Sequence, residues 1–311
     1  MKKAYLIALF LLAGCATHSE FSKTIAFFKA SPTKQYSVFS PDEKTPRFDP
    51  SGLFILDGKI LTVSDRAEYN DIYELQKTNE QAFIAKVFLK IKLPREPHPR
   101  QRHDFEGLTF CGGKFFVTDE EFSDLLEIDP KGDTQIHHPD LKSIHKKTET
   151  ALAFGTKNGG LEGIACDTQK FSLFLANERF FRMIYVLDPR TFSANDFFDV
   201  PSGWNLPRHV GDFRMYRDFA DLYFEAPYLY ALQRNDRRIL KIDPRTKNLV
   251  AVLDLQFDEH DLYESSEPFG MAEGLALTKT QILVVLDNNG MKRKSNPADI
   301  SSTLLEFSRP S

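Results

Sequence analysis

The sequence predicts an all-β fold, a β-propeller with five blades, six being the alternative. Three observations predict it. A short motif recurs at even spacing, the same order of strand-like segments follows each copy, and Phe is abundant at 28 residues, as suits strands. The motif reads HDFEGLTF at His103–Phe110, GLEGIACD at Gly160–Asp167 and MAEGLALT at Met271–Thr278. Weaker copies are DFADLYFE at Asp218–Glu225 and DPSGLFIL at Asp49–Leu56. Its aligned positions are Ser51, Glu106, Glu162, Asp221 and Glu273, spaced by 55, 56, 59 and 52 residues.

Within each copy the order is constant. An apolar strand follows the motif, then a short turn: DGK at 57–59, CGGK at 111–114, DTQK at 167–170, EAP at 225–227 and TKTQ at 278–281. A second strand (ILTVSD, FFVTDE, FSLFLANE, YLYALQ, ILVVLD) and a polar loop lead to a third (DIYEL, DLLEIDP, MIYVLDP, ILKIDP, TLLEF). Three of the third strands stop at Asp-Pro, since Pro cannot donate to a ladder. A fourth strand shows at 82–93, 196–200 and 249–257. Four antiparallel strands per repeat of about 50 residues describe a propeller blade. The last copy ends at its third strand, near Phe307. The N-terminal stretches KTIAFF (23–28) and QYSVFS (35–40) are therefore expected to supply its outer strand and close the ring. No composition shift divides the chain, so residues 24–311 read as one domain.

The first residues read as targeting. Lys2 and Lys3 precede an apolar run, Ala4–Ala13, of signal-peptide length. LAGC at Leu12–Cys15 resembles a bacterial lipobox. Residues 1–14 are then a lipoprotein signal peptide, Cys15 the lipidated first residue, and 15–23 the lipidated Cys with its tether. Ala16, where an Asp would suggest inner-membrane retention, points to the outer membrane of a Gram-negative source, on its periplasmic face. The expected partner is thus a membrane, reached through the lipid anchor. The formal charge of -4 falls to about -6 without the two lysines and gives no reason to expect nucleic acid. A monomer is expected. Cys111 and Cys166 are two isolated cysteines, not a disulfide framework, and are expected to remain unpaired.

Blade geometry places the motif acids and the ends of the second strands at one mouth of the central channel. The motif supplies Glu106, Glu162, Asp221 and Glu273. The second strands end at Asp65, Asp119, Asn177, Gln233 and Asp287. Carboxylates held this close repel one another, and a cation relieves them. Oxygen-only donors favour a hard ion, Ca²⁺. The expected metal ligands are Glu106, Glu162, Asp221, Glu273, Asp119 and Asp287. The alternative is that each acid merely accepts local backbone N–H groups. Arg66, Arg179 and Arg234 stand beside the second-strand ends and suit an anionic small-molecule substrate. The loop before the opening motif adds Arg95, Arg100 and Arg102 with His98. Glu106, Glu162 and His103 are the candidate acid–base groups. No GxSxG, GxGxxG or Walker-type element occurs. The segment 288–299 reads as a mobile surface loop.

The stretches SGLFILDGKILTVSDR, DFEGLTFCGGKFFVTDE and GLEGIACDTQKFSLFLANER resemble the blades of the phytase-like (esterase-like activity of phytase) propeller domain and of the related SdiA-regulated propeller family. The most specific parts are D-x-E-G at Asp104–Gly107 and S-D-R at Ser64–Arg66, and the likeness covers residues 45–308. It implies a five- or six-bladed propeller, a Ca²⁺ site, and phosphoester or ester hydrolysis in the phytase-like group. The chain departs from the pattern at Ser51, which replaces an acid, and at Asp221, which lacks the following Gly. The leading expectation is a lipid-anchored Ca²⁺-binding propeller acting as a hydrolase of an anionic ester. One alternative is a non-catalytic envelope scaffold or ligand-binding module. Another is a gluconolactonase-like lactonase using Glu106, Asn177 and Asp287.

Overall fold

The computed structural model describes residues 25–42, 47–94, 102–141, 160–177, 183–199, 218–265 and 270–310. Among them only one short helix, Glu259–Leu262, interrupts an all-β chain. No helix of these residues is long and apolar enough to cross a membrane.

The repeats fold as read. Strands β3 (Pro50–Leu56), β4 (Lys59–Ser64), β5 (Asp71–Asn79) and β6 (Ala82–Lys90) form one antiparallel meander. The next comprises β7 (Phe105–Cys111), β8 (Lys114–Asp119), β9 (Asp124–Ile128) and β10 (Thr134–His137). Then come β11 (Leu161–Asp167), β12 (Ser172–Asn177), β13 (Met183–Leu187) and β14 (Ala194–Asp199). The fourth has β15 (Asp221–Glu225), β16 (Tyr228–Gln233), β17 (Arg238–Asp243) and β18 (Asn248–Leu255). The last holds β19 (Ala272–Leu277), β20 (Gln281–Leu286) and β21 (Ser302–Ser308). Tight turns carry the first two hairpins. Asp57 and Gly58 (φ 49° and 80°), then Gly112 and Gly113 (φ 57° and 84°), place both turn residues in the left-handed region that a two-residue hairpin needs.

The two N-terminal strands separate. β2 (Pro32–Phe39), which holds QYSVFS, pairs antiparallel with β21 and so adds a fourth strand to the last meander. Through three parallel pairs it also touches β6, merging the first and last meanders into an eight-stranded sheet. β1 (Ala26–Ala30), which carries the end of KTIAFF, instead lies parallel to β18 as a fifth strand of the fourth sheet.

Apolar side chains fill the space between neighbouring meanders. Leu61, Val63 and Ile72 meet Leu108, Val117 and Leu126 in one cluster. Cys111 and Phe116 meet Ile164, Leu175 and Tyr185 in the next. The pattern continues from Ala176 to Leu240, from Leu232 to Leu286, and from Val285 back to Leu53 and Tyr73. Each innermost strand lies against the following one, and β19 lies against β3.

Two sequence-based expectations are corrected here. Cys111 and Cys166 form a disulfide, with Cα atoms 5.8 Å apart, joining the inner strands β7 and β11. Residues 288–299 are held down rather than loose. The Asn288 amide donates to the Met291 and Ile300 carbonyls, and buried Arg293 donates to Ser302 O and pairs with Asp299.

Candidate metal centre

Four of the five inner strands carry the motif residue as their second residue, and the backbone there is irregular for a reason. The pairing of β7 with β8 skips a step between Phe105 and Leu108, and that of β11 with β12 between Leu161 and Ile164. The same shift occurs at Pro50/Leu53 and at Ala272/Gly274. Such bulges re-aim a side chain, and here the re-aimed residues are Ser51, Glu106, Glu162 and Glu273. The glycine that follows allows the strands to converge. A Cβ on Gly107 would stand 2.5 Å from the Glu162 carbonyl oxygen, and one on Gly163 2.4 Å from the Asp221 Cα. Any larger residue would push apart the strands that bring the glutamates together.

The glutamates converge on a cavity of about 220 Å³. Among the described residues, seven carboxylates line it, from Asp65, Asp104, Glu106, Glu120, Glu162, Glu273 and Asp287, against a single arginine, Arg234. One oxygen from each of Glu106, Glu162 and Glu273 lies within 4.8 Å of the others. Two more triplets meet the same limit: Asp104 with Glu106 and Glu120, and Asp49 with Asp65 and Asp287. Oxygens around one Ca²⁺ at ~2.4 Å are separated by at most ~4.8 Å, so each triplet is compatible with a shared hard cation. Glu273 Oε2 and Asp65 Oδ1 are buried and accept no hydrogen bond among the described residues. An all-oxygen donor set with orphaned buried oxygens fits Ca²⁺.

The site as read from sequence is therefore gathered in part. Glu106, Glu162, Glu273 and Asp287 lie on the cavity wall. Asp221 does not. Its Oδ2 accepts the backbone N–H groups of Leu53 (3.1 Å) and Leu275 (2.7 Å), and its Oδ1 accepts that of Leu222 (2.8 Å). The reason is local: β15 lacks both the Gly and the register shift, so the carboxylate stays among the inner strands as a staple. Asp119 also stands apart, bonded to His103 Nδ1 and to the Asp104 N–H. His103 is wedged between the Phe105 and Phe122 rings and lines an adjoining pocket of about 360 Å³. Asn177 is not among the residues that line the cavity; its amide donates to the Gly160 carbonyl.

Of the arginines expected to meet an anion, Arg234 and Arg66 are already engaged by acids, whereas Arg102 lines the adjoining pocket. Arg234 forks onto Asp218 and donates to Glu273 Oε1 at 2.5 Å. Arg66 pairs with Glu68 and reaches Asp49 at 3.7 Å. Arg179, Arg95, Arg100 and His98 lie outside the described residues. Four acids beyond the expected ligand set join the triplets: Asp49, Asp65, Asp104 and Glu120. Three carried a signal in sequence: Asp104 within D-x-E-G, Asp49 at the same position of the copy DPSG, and Asp65 as a second-strand end. Glu120 carried none that stood out from ordinary turn acids. Ser51, where the acid is missing, donates to Glu106 Oε2 at 2.6 Å.

Crowding and burial raise these carboxyls. Asp65 is pushed up to about 8, first by burial and then by Asp49, Asp104 and Glu273. Asp104 rises to about 7 through burial, Glu120 and Asp119. Burial followed by neighbouring acids holds Glu106 and Asp287 well above the carboxylate range. Glu273 is raised by burial, with Arg234 opposing. Unfolded carboxyls titrate near 4. Between about pH 4 and pH 8 the cation-free folded chain thus binds more protons than the unfolded chain, and its stability falls as pH rises. In chelator, the urea midpoint is expected to be higher at pH 5.5 than at pH 8, and Ca²⁺ should flatten that slope by replacing the protons. A midpoint that rises with pH in chelator would contradict this description of the cavity.

These features define the class: a β-propeller with an acid-lined cavity where its inner strands begin. The SdiA-regulated family model matches residues 75–289, and the chain belongs to that family. No curated protein matches it by sequence. Among solved structures it is similar to the glutaminyl cyclase of Myxococcus xanthus, with a TM-score of 0.55 and 14% identity over 92% of this chain and 100% of that one. It is also similar to virginiamycin B lyase from Staphylococcus aureus, with a TM-score of 0.48 and 11% identity over 89% of this chain and 99% of that one. At such identities the likeness to the cyclase speaks for the fold alone.

Proposed function

We propose that the protein is a five-bladed propeller, closed where β2 joins β21, that binds Ca²⁺ in the acid cavity while held to the cell envelope by a lipid on Cys15. One observation carries the cation reading. Among the described residues, seven carboxylates and one arginine line a cavity of about 220 Å³, and a buried Glu273 oxygen accepts no hydrogen bond. Glu106, Glu162 and Glu273 would hold the ion, with Asp104 and Asp65 beside them. The disulfide favours an oxidising compartment, in keeping with the periplasmic face of an outer membrane.

The pairing of Arg66 and Arg234 with acids favours a ligand-binding or scaffolding role over hydrolysis of an anionic ester. Hydrolysis has one observation on its side. His103, oriented by Asp119, lies beside Asp104 on the adjoining pocket, where it would serve as the acid–base group while the cation polarised an ester or phosphoester oxygen.

Calorimetric titration of Ca²⁺ into chelator-treated protein tests the main reading. Glu273→Gln and Glu162→Gln should each weaken binding at least tenfold without unfolding the chain, because each also removes a like charge from the cluster. Heat of binding that is absent from the wild type would end the proposal. Turnover in a phosphatase, esterase and lactonase panel, lost both on chelation and in His103→Asn, would move the conclusion to the hydrolase.

A further inference from the structure

The fourth sheet ends in a strand that is poorly protected. In β1, Ala26, Phe27, Phe28 and Lys29 are all exposed, Phe27 at 60% and Phe28 at 37%. Of the four large apolar side chains exposed among the described residues, these two are consecutive and the other two, Phe39 and Val87, lie on different strands. Beside Phe28 an apolar groove of about 250 Å³ continues along Leu253, Ile282 and Pro310. Lys241 borders it and Lys29 follows the aromatic pair. A bare aromatic edge strand invites a partner. Adjacent apolar and basic groups suit an anionic bilayer surface.

The length of chain before β1 says which partner is within reach. Phe27 stands twelve residues after Cys15, and a fully extended chain covers at most ~3.5 Å per residue. With a lipid on Cys15, β1 is held within ~40 Å of the headgroups and is the first described element along the chain. We propose that β1 meets the bilayer edge-on, with Phe27 and, from the opposite face of the strand beside the groove, Phe28 both entering the headgroup region. The propeller then meets the membrane with the outer edge of its fourth sheet. This rests on the reading of Cys15 as the anchor.

The test uses the mature chain carrying Phe27→Trp in a Trp204→Phe background, since Trp204 is the single natural tryptophan. It is reconstituted into phosphatidylethanolamine–phosphatidylglycerol vesicles containing brominated lipid. The introduced indole should shift to the blue and lose at least half its emission to bromine. In a Cys15→Ser chain, Phe27→Ser with Phe28→Ser should lower partition onto the same vesicles at least ~tenfold, as expected for withdrawing two aromatic rings from an interface. An acylated, vesicle-bound chain whose indole is neither shifted nor quenched overturns the docking alone. A membrane-extracted chain whose intact mass shows no acyl group on Cys15 removes the anchor reading and the docking with it. A blue shift that follows protein concentration without lipid means that a second copy covers β1, which also overturns the proposal.

Discussion

A chain in which both Cys111 and Cys166 are replaced by serine is expected to lose about 4 kcal/mol of stability, the loop-entropy value for a cross-link of this span. The bridge closes 55 residues and ties β7 to β11 at the end of the strands away from the glutamates. Denaturant titrations of wild type and double mutant under oxidising conditions measure the difference. Wild type in reductant should behave as the mutant does. Ca²⁺ affinity should change much less than stability, because the cavity lies at the other end of both strands. Equal stability of the two forms would show that the inner strands hold one another without the bridge.

Asp221→Leu is expected to be the most damaging single substitution at the channel mouth, costing more than about 3 kcal/mol. It would leave three buried backbone N–H groups, those of Leu53, Leu222 and Leu275, without an acceptor, at roughly 1–3 kcal/mol each. Those amides belong to three different inner strands, β3, β15 and β19, so their loss loosens the centre of the ring. Glu273→Gln offers the contrast, since it keeps an oxygen for Arg234 and relieves repulsion within the cluster. Asp221→Leu should therefore lower the melting temperature sharply even in chelator, whereas Glu273→Gln should lower only the stabilisation gained on adding Ca²⁺. If Asp221→Leu melted like the wild type in chelator and lost only its response to Ca²⁺, Asp221 would be a ligand after all.

The two residues also show where reading the chain succeeds and where it stops. Both had the same signal, an acid at the motif position. The repeat identified the inner strands because every blade must bury the same kind of strand against its neighbours, and that demand leaves its period in the sequence. The departure at Asp221, an acid without its glycine, was visible as well. Its consequence was not, since whether a carboxylate faces a cavity or the amides of β3 and β19 depends on strands 168 and 54 residues away. The cysteines carry the same lesson. Their separation of 55 residues matches the repeat, so they occupy nearly equivalent places on adjacent inner strands. Counting cysteines missed this, and comparing them with the repeat would have paired them.

The sequence by itself determined the class of fold, the order of strands, and the end of the ring at which glutamates gather, because period and turn chemistry are local. Only the tertiary structure decided which acids share a cation-sized space. Asp49 and Glu120 enter that group from beside β3 and β8, Asp119 leaves it for His103, and Arg234 is held by Asp218 and by Glu273 of β19. Each of these outcomes depends on distances of a few ångströms between segments remote in the chain. Such distances follow from how closely the inner strands pack, which the glycine beside each glutamate permits and no single repeat specifies.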